Sequence, residues 1–261
     1  MKKDFSLPHP TLERLARLYV LLGKLQQQGF RVVSSKRLSE LLGVPDHTIR
    51  KDLSCLREGL GWDKPFEEKP FDKGKAGGSR GAGTEIPGDR EKPADTEWAQ
   101  MDKPGAGGGR GYPLDSLRTL IGERLGLRCP RTACLVGLGN LGVAILHRKI
   151  WQEGVYRLVA AFDSSENRLE LLSTKVPLYH ARELEAVVRK HRIEIGILTV
   201  PPEAAQETAD RLVRSGIRGI VNFAPVVLTV TSDRVVVRNV SLAGELNILS
   251  AYLYQQEEEH G

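Results

Sequence analysis

The stretch Cys134–Leu146, CLVGLGNLGVAIL, decides the fold. An apolar run reaches Val136, a glycine-rich turn follows at once, and helical spacing resumes at about Leu141. Strand, tight glycine turn and helix is how a parallel sheet offers its backbone to a dinucleotide. In Gly137-Leu138-Gly139-Asn140-Leu141-Gly142 the three glycines have separate tasks. Gly137 makes the turn, Gly139 lets the backbone approach a pyrophosphate, and Gly142 allows the helix to pack closely on the strand. GxGxxG alone is a weak signal, but here Asp163 closes VAAFD 21 residues after Gly142. An acidic residue at that place bonds both ribose hydroxyls and repels a 2′-phosphate, which favours NAD over NADP.

Downstream of the glycines, strands and helices alternate. RLVAAFD, IEIGILTV and RGIVNFA read as strands, with helices over about 181–191 and 203–215 between them. Such β-α-β alternation implies a parallel sheet covered on both faces. VVLTV and RVVVRNV, joined by TSD, are expected to form a hairpin. The last segment, SLAGELNILSAYLYQQEEE, places Leu242, Leu246, Leu249 and Leu253 on one side of a helix, with Tyr252 beside them. A terminal apolar helix needs a surface to cover, in its own domain or on a second subunit.

Upstream, Leu12, Leu15, Leu18, Tyr19, Leu22 and Leu25 recur at helical spacing, and Gly29 closes that helix. A second helix starts after Ser34 or Ser35, either of which can cap it, and buries Leu38, Leu41 and Leu42. GVP breaks it. Asp46 can then cap a third helix over about 47–56, with Ile49, Leu53 and Leu56 inward. Helix, glycine-containing turn and helix is the pattern that lays its last helix in a DNA major groove. The outward residues of that helix are His47, Thr48, Arg50, Lys51 and Ser54. Arg50 and Lys51 suit phosphate or guanine contacts.

Charge agrees with this placement. Residues 1–60 hold 11 Lys and Arg against 6 Asp and Glu, while the remaining residues sum to zero. A small domain that carries the whole positive excess fits a polyanionic partner. Residues 61–112 differ in character, with 12 Gly and 5 Pro in phrases such as GKAGGSRGAGTEIPGDREKP. That composition buries too little apolar surface to offset its ordering entropy, so most of it is expected to be disordered. Trp62, Phe66, Phe71 and Trp98 are the residues there that can dock locally. After it, Leu114, Leu117, Leu120, Ile121 and Leu125 restore a helical pattern.

Other classes are disfavoured. No run approaches the ~18 apolar residues of a membrane span, and MKKDFSLPHPTLERL lacks a signal-peptide core, so the expected location is the cytoplasm. Cys55, Cys129 and Cys134 include no CxxC pair, and CPRTAC reads as ordinary thiols, a redox role being the alternative. No metal site is expected. Hydride transfer needs an acid or base aimed at a substrate. His147, His180 and His191 lie on or beside helices rather than at strand ends, and His9, His47 and His260 fall outside this domain. The strand ends carry TVPP and NFAP, where Thr199, Val200, Pro201, Asn222 and Ala224 can line a cleft without an acid–base pair. No second domain is large enough to hold a substrate. The residues favour sensing a nucleotide over consuming it, so no enzyme activity is expected.

With IRKDLS, GLGNLG, FD and TVPPEAAQETADRLVRSGIRGIVNFAPVVLTV in place, the chain resembles the Rex family of redox-sensing transcriptional repressors. The likeness covers nearly everything outside 61–105. It implies a homodimer in which a winged helix (1–112, with an insertion at about 61–108) reads double-stranded operator DNA. A Rossmann domain (113–240) would bind NADH and NAD⁺, and a helix over 241–261 would be exchanged between subunits. NADH would release the DNA. Ser35 and the wing residue Arg110 join the five outward residues of the third helix as candidate DNA contacts. Gly137 to Gly142 and Asp163 would hold the cofactor.

Departures from the family pattern accompany the likeness. Thr48 stands where the family usually has Gln, and GGGRGY leaves Arg110 as the local cation of the wing. The family couples its two states through an Arg in the first helix, a Tyr after the cofactor helix and an Asp opening the terminal helix. Those places hold Val20, Arg148 and Ser241 here. Two alternatives follow: a DNA-binding protein with constitutive or weak redox response, and a small NAD-dependent oxidoreductase with an accessory DNA-binding module.

Overall fold

The computed structural model describes residues 7–58, 111–152 and 154–260, and the chain divides into two compact units, Met1–Leu127 and Arg128–Gly261. The expected insertion at 61–108 and Arg110 lie outside the described residues.

In the first unit, α1 (His9–Gln27) buries Leu15, Leu18, Leu22 and Leu25. A two-residue strand β1 (Val32–Val33) leads to α2 (Ser35–Leu42). Of the two candidate serines, Ser34 is the cap, its hydroxyl accepting the Arg37 N–H at 3.1 Å. Gly43 ends α2 in a left-handed conformation, φ 64°, which turns the chain into α3 (Asp46–Glu58). The chain re-enters as β2 (Tyr112–Pro113), antiparallel to β1 with Val33 opposite Tyr112. Three helices and a two-stranded ribbon make a winged-helix unit.

Next comes α4 (Leu114–Arg124), which sends Leu114, Leu117, Leu120 and Ile121 into the same core as Leu15, Leu22, Leu38 and Ile49. Each such side chain gains roughly 1.5–3 kcal/mol on burial. That burial ties α4 to the first unit, so the division falls at Leu127 and not after residue 112, where the sequence placed it.

The second unit is built on six described strands: β3 (Arg131–Val136), β4 (Tyr156–Asp163), β5 (Leu178–His180), β6 (Ile195–Leu198), β7 (Gly219–Asn222) and β8 (Val236–Asn239). Their order is β5-β4-β3-β6-β7-β8, and every pairing is parallel. Counted from β3, this is the 3-2-1-4-5-6 order of a doubly wound Rossmann sheet, whose order reverses between the first and fourth strands. The helices α5 (Asn140–Leu146), α6 (Glu166–Leu171), α7 (Leu184–His191) and α8 (Pro202–Arg214) connect them. Two apolar layers result, one around Cys134, Phe162, Leu184 and Leu212, the other around Leu135, Leu138, Leu146 and Ala161.

The expected hairpin does not form. VVLTV is not a strand, and β8 instead extends the sheet in parallel, with Gly219 opposite Val236. Gln206 on α8 explains the difference. Its amide accepts the Thr229 N–H at 2.9 Å and donates to the Thr229 carbonyl at 3.0 Å, filling the backbone groups a hairpin partner would have used. Leu228 is meanwhile buried against the sheet.

The chain ends in α9 (Leu242–His260). No helix among the described residues is long and apolar enough to cross a membrane.

Candidate functional site

The crevice lies where β3 and β6 diverge, at the carboxyl ends of the strands, the place at which open parallel sheets take their ligands. Gly137 follows β3 with φ 95°, and its N–H donates to the Phe162 carbonyl at 2.8 Å. A Cβ there would come within 2.7 Å of the Thr199 carbonyl oxygen. Gly142 is tighter still, since a Cβ would collide with the Gly137 carbonyl oxygen. Gly139 is the opposite case: a Cβ on it meets nothing within 4 Å. Two glycines are therefore filled by protein, and the middle one opens on space.

Asp163 ends β4 and is only 4% exposed. One carboxylate oxygen accepts the Leu138 N–H at 2.7 Å and the other the Ser165 N–H at 2.8 Å. The carboxylate thus clamps the glycine turn from the neighbouring strand. Arg168 on α6 lies above it, its guanidinium 3.4 Å from Oδ2 and 3.5 Å from Oδ1. Leu138 is buried, while Asn140 and Leu141 face solvent at the start of α5.

The opposite wall comes from β6 and β7. The Thr199 hydroxyl donates to the Gly137 carbonyl at 2.7 Å, so it braces the glycine turn. Val200 is half-buried, and Pro201 is exposed just before α8. Asn222 is fully buried. Its amide nitrogen donates to the carbonyls of Ala224 and Val226 and to Asn239 Oδ1, and its oxygen accepts the Ala224 N–H. It holds the NFAP loop in shape, with Ala224 buried beneath it. Cys134 lies inside β3, and burial pushes its thiol up to about 12. CPRTAC therefore contains one thiol locked in its protonated form, which leaves no exchanging pair.

The second candidate surface is α3. Ile49, Leu53 and Leu56 are buried, which turns His47, Arg50, Lys51 and Ser54 outward and leaves Thr48 half-buried. Asp46 stands within the first turn, and its carboxylate pairs with Arg50 one turn later. The Ser35 hydroxyl, followed by Arg50, holds the Asp46 carboxyl below the usual carboxylate range. Ser35 thus sits against the start of α3. Ser54 donates its hydroxyl proton to the Arg50 carbonyl at 2.8 Å.

An ion pair with no signature in either local pattern fixes this helix. Asp52 faces inward, 4% exposed, and Arg14 of α1 grips it through Nε at 2.6 Å and a second nitrogen at 2.9 Å. Thr11 adds its hydroxyl at 3.1 Å. The hydrogen bonds to Asp52 raise Arg14 above its already high ordinary pKa, so the guanidinium stays charged.

With both surfaces described, comparison with known proteins is decisive. Residues 130–226 match the CoA binding domain family and residues 6–54 the putative DNA-binding protein N-terminus family. The chain is 33% identical over 259 residues to the redox-sensing transcriptional repressor Rex of Lactococcus lactis subsp. cremoris (strain MG1363), covering 98% of each. It belongs to the Rex family. The Rex of Pelotomaculum thermopropionicum is 30% identical, covering 99% of this chain and 100% of its own. Among solved structures, RSP in complex with β-NADH superposes with a TM-score of 0.69 at 26% identity, over 97% of both chains. RSP with β-NAD⁺ and operator DNA gives 0.66 at 28%, over 98% of this chain and 96% of that one.

Against that family frame, α9 is notable for what it leaves uncovered. Leu242, Leu246, Ile248, Leu249, Tyr252, Leu253 and Tyr254 are each more than half exposed, on more than one side of the helix. Ser241 accepts the Gly244 N–H at 3.1 Å and so caps the start of α9. Val20 on α1 is 58% exposed, and Arg148 beyond α5 is exposed too.

Proposed function

We propose that the chain is a homodimeric transcriptional repressor that binds operator DNA and is released from it by NADH. The observation that carries the nucleotide half is the Gly139 opening beside the clamped Asp163, at the reversal point of the sheet. Gly137, Leu138, Gly139, Asn140, Leu141 and Gly142 would hold the pyrophosphate, and Asp163 the adenine ribose. Val200 and Pro201 would line the nicotinamide end, positioned by Thr199, Asn222 and Ala224. The bound nicotinamide supplies one bit of redox information, since NADH and NAD⁺ differ by a hydride and a charge. The Thr199 hydroxyl and the Asn222 amide are engaged by backbone, which leaves neither free as an acid or base; this supports a regulator rather than an enzyme.

Arg50, Lys51, His47, Thr48 and Ser54 would face the major groove, with Ser35 at the phosphate side and Arg110 in the wing. Arg50 must leave Asp46 to reach a guanine, whose two acceptors suit its two parallel donors. The uncovered α9 would be buried by a second copy, consistent with the resemblance. The protein would act in the cytoplasm, where its DNA and the NAD pool meet.

The runner-up, DNA binding without redox response, is favoured by the aliphatic Val20 and the short Ser241 at places where the family uses charged partners. Both readings are tested with a duplex selected from a random pool by the protein itself. Its anisotropy is followed at fixed salt during separate titrations with NADH and NAD⁺. Release by NADH at tenfold lower affinity corresponds to a coupling of about 1.4 kcal/mol, within the usual 1–3 kcal/mol of allosteric pairs. Equal affinity in both titrations selects the runner-up.

A further inference from the structure

The amino ends of the strands, opposite the ends that carry the GLGNLG crevice, gather cations. Residues 128–261 hold 16 Lys and Arg against 15 Asp and Glu, so the second unit as a whole is nearly neutral. Yet Arg131 opens β3, Arg157 lies opposite Thr132 near the start of β4, and Arg218 precedes β7. Glu194, just before β6, pairs with Arg131 at 2.9 Å and with Arg218 at 3.4 Å. The Arg192 carbonyl accepts the Thr132 hydroxyl proton at 3.0 Å, which brings the end of α7 to the same rim. Arg189 and Lys190 come with its last turn, and Glu185 pairs with Arg189. Arg157, Lys190 and Arg192 are exposed, and no carboxylate among the described residues pairs with them. Cations at a helix C-terminus complement its dipole, which accounts for Arg189 and Lys190. That leaves the three strand-start arginines and Arg192, whose φ of 48° is a conformation glycine adopts without strain.

We infer that this rim is a second nucleic-acid surface, which holds the phosphate backbone of duplex DNA without regard to sequence. It uses none of the α3 residues and goes beyond the operator contact proposed for them. The neighbouring strands β4, β3, β6 and β7 lie ~4.8 Å apart, so their starts span about 14 Å. That length of duplex axis carries about four phosphates on each strand. Arginine suits them, because its planar donors grip a phosphate in pairs. A protein partner would draw its affinity from buried aromatic or apolar anchors, whereas a phosphate backbone needs only spaced cations. The segment held is either the flank of the operator duplex or a separate duplex, the chemistry being the same for both.

The test is anisotropy of a random-sequence duplex with the full chain over a range of salt. It compares wild type with the triple variant Arg157→Gln, Lys190→Gln, Arg192→Gly, which breaks no ion pair and puts glycine at the left-handed position. Urea unfolding checks that the fold is kept. The variant should bind at least tenfold more weakly at low salt, with the slope of log K against log salt lower by about two to three. Combined with Arg50→Ala, the two reductions in slope should add. Loss confined to longer duplexes assigns the flank; loss of capture of a second, labelled duplex assigns a separate segment. An unchanged slope in a folded triple variant, beside a weakened Arg50→Ala, overturns the inference and leaves the α3 reading standing. Loss of poly-glutamate binding with duplex binding intact overturns it in favour of an acidic protein partner. If wild type binds no duplex even at low salt, the α3 reading fails as well.

Discussion

Three glycines within six residues give two kinds of expected outcome, and the difference separates a binding role from a folding role. Gly139 has φ −70° and ψ −171°, which alanine adopts freely, and a Cβ there meets nothing within 4 Å. Gly139→Ala should therefore leave stability unchanged or raise it by about 0.4–1 kcal/mol, through a less flexible unfolded chain. Its methyl group would stand in the path of the pyrophosphate. Losing two charge-assisted hydrogen bonds from backbone N–H, at about 1.5–3 kcal/mol each, predicts a loss of at least 3 kcal/mol in NADH binding. That is roughly a hundredfold or more in Kd. Gly142→Ala reverses the pattern, because its Cβ strikes the Gly137 carbonyl and comes 2.9 Å from Thr199 Oγ1. It should destabilise the second unit by about 1–3 kcal/mol or more. Gly137→Ala adds strain at φ 95° to a 2.7 Å approach to the Thr199 carbonyl, and should behave likewise. Urea unfolding read by far-UV circular dichroism, with NADH calorimetry on the same preparations, measures both quantities. Wild-type NADH affinity in Gly139→Ala would refute the argument, since the open space would then not be where the phosphates pass.

Three further outcomes are expected. Asp52→Asn keeps shape but leaves Arg14 with half its partner in a mostly buried site; it should destabilise the first unit by about 2–3 kcal/mol, less than the 3–5 kcal/mol of a fully buried pair because Arg14 remains partly exposed. A urea midpoint shift equivalent to under 0.5 kcal/mol would show the pair to be decorative. Arg50→Ala should weaken DNA binding and lower the slope of log K against log salt by about one, with an unchanged slope meaning no phosphate contact. Cys134 bears on alkaline behaviour. Its folded pKa, about 12, lies above that of an unfolded thiol, so the unfolded chain loses the proton first and stability falls as pH rises from about 9 toward 12. Relative to Cys134→Ala, wild type should lose up to about 1.4 kcal/mol per pH unit in that window, and parallel curves would contradict the buried thiol.

What was legible in the sequence is what short-range pattern encodes. GLGNLG and the Asp163 spacing announced the sheet, the turn and the crevice, since both motifs are local to one β-α-β unit. The apolar faces of α1 and α3 were equally plain. The bond between Arg14 and Asp52 was not, because its partners are 38 residues apart and each lies on a helix whose own pattern is complete without it. Thr199 and Asn222 read as cleft-lining residues by position. Their engagement with the backbone of Gly137, Ala224 and Val226 depends on how loops close, which periodicity does not record. The hairpin expected from VVLTV and RVVVRNV failed for the same reason. Gln206, on a helix 23 residues away, supplies the pairing that local β-propensity assigned to a neighbouring strand. The place of α4 likewise followed from which core its leucines joined.

The pairing of Arg50 with Asp46 has a consequence for how such a protein would find its target. On the DNA reading proposed above, any duplex must displace Asp46 before it gains the Arg50 cation, whatever its base sequence. A lone phosphate replaces one anion with another and returns little. A guanine edge in register offers two acceptors at once and completes the exchange. The carboxylate therefore shortens dwell on irrelevant DNA more than it weakens the final complex, and a repressor that lets go quickly scans a genome faster.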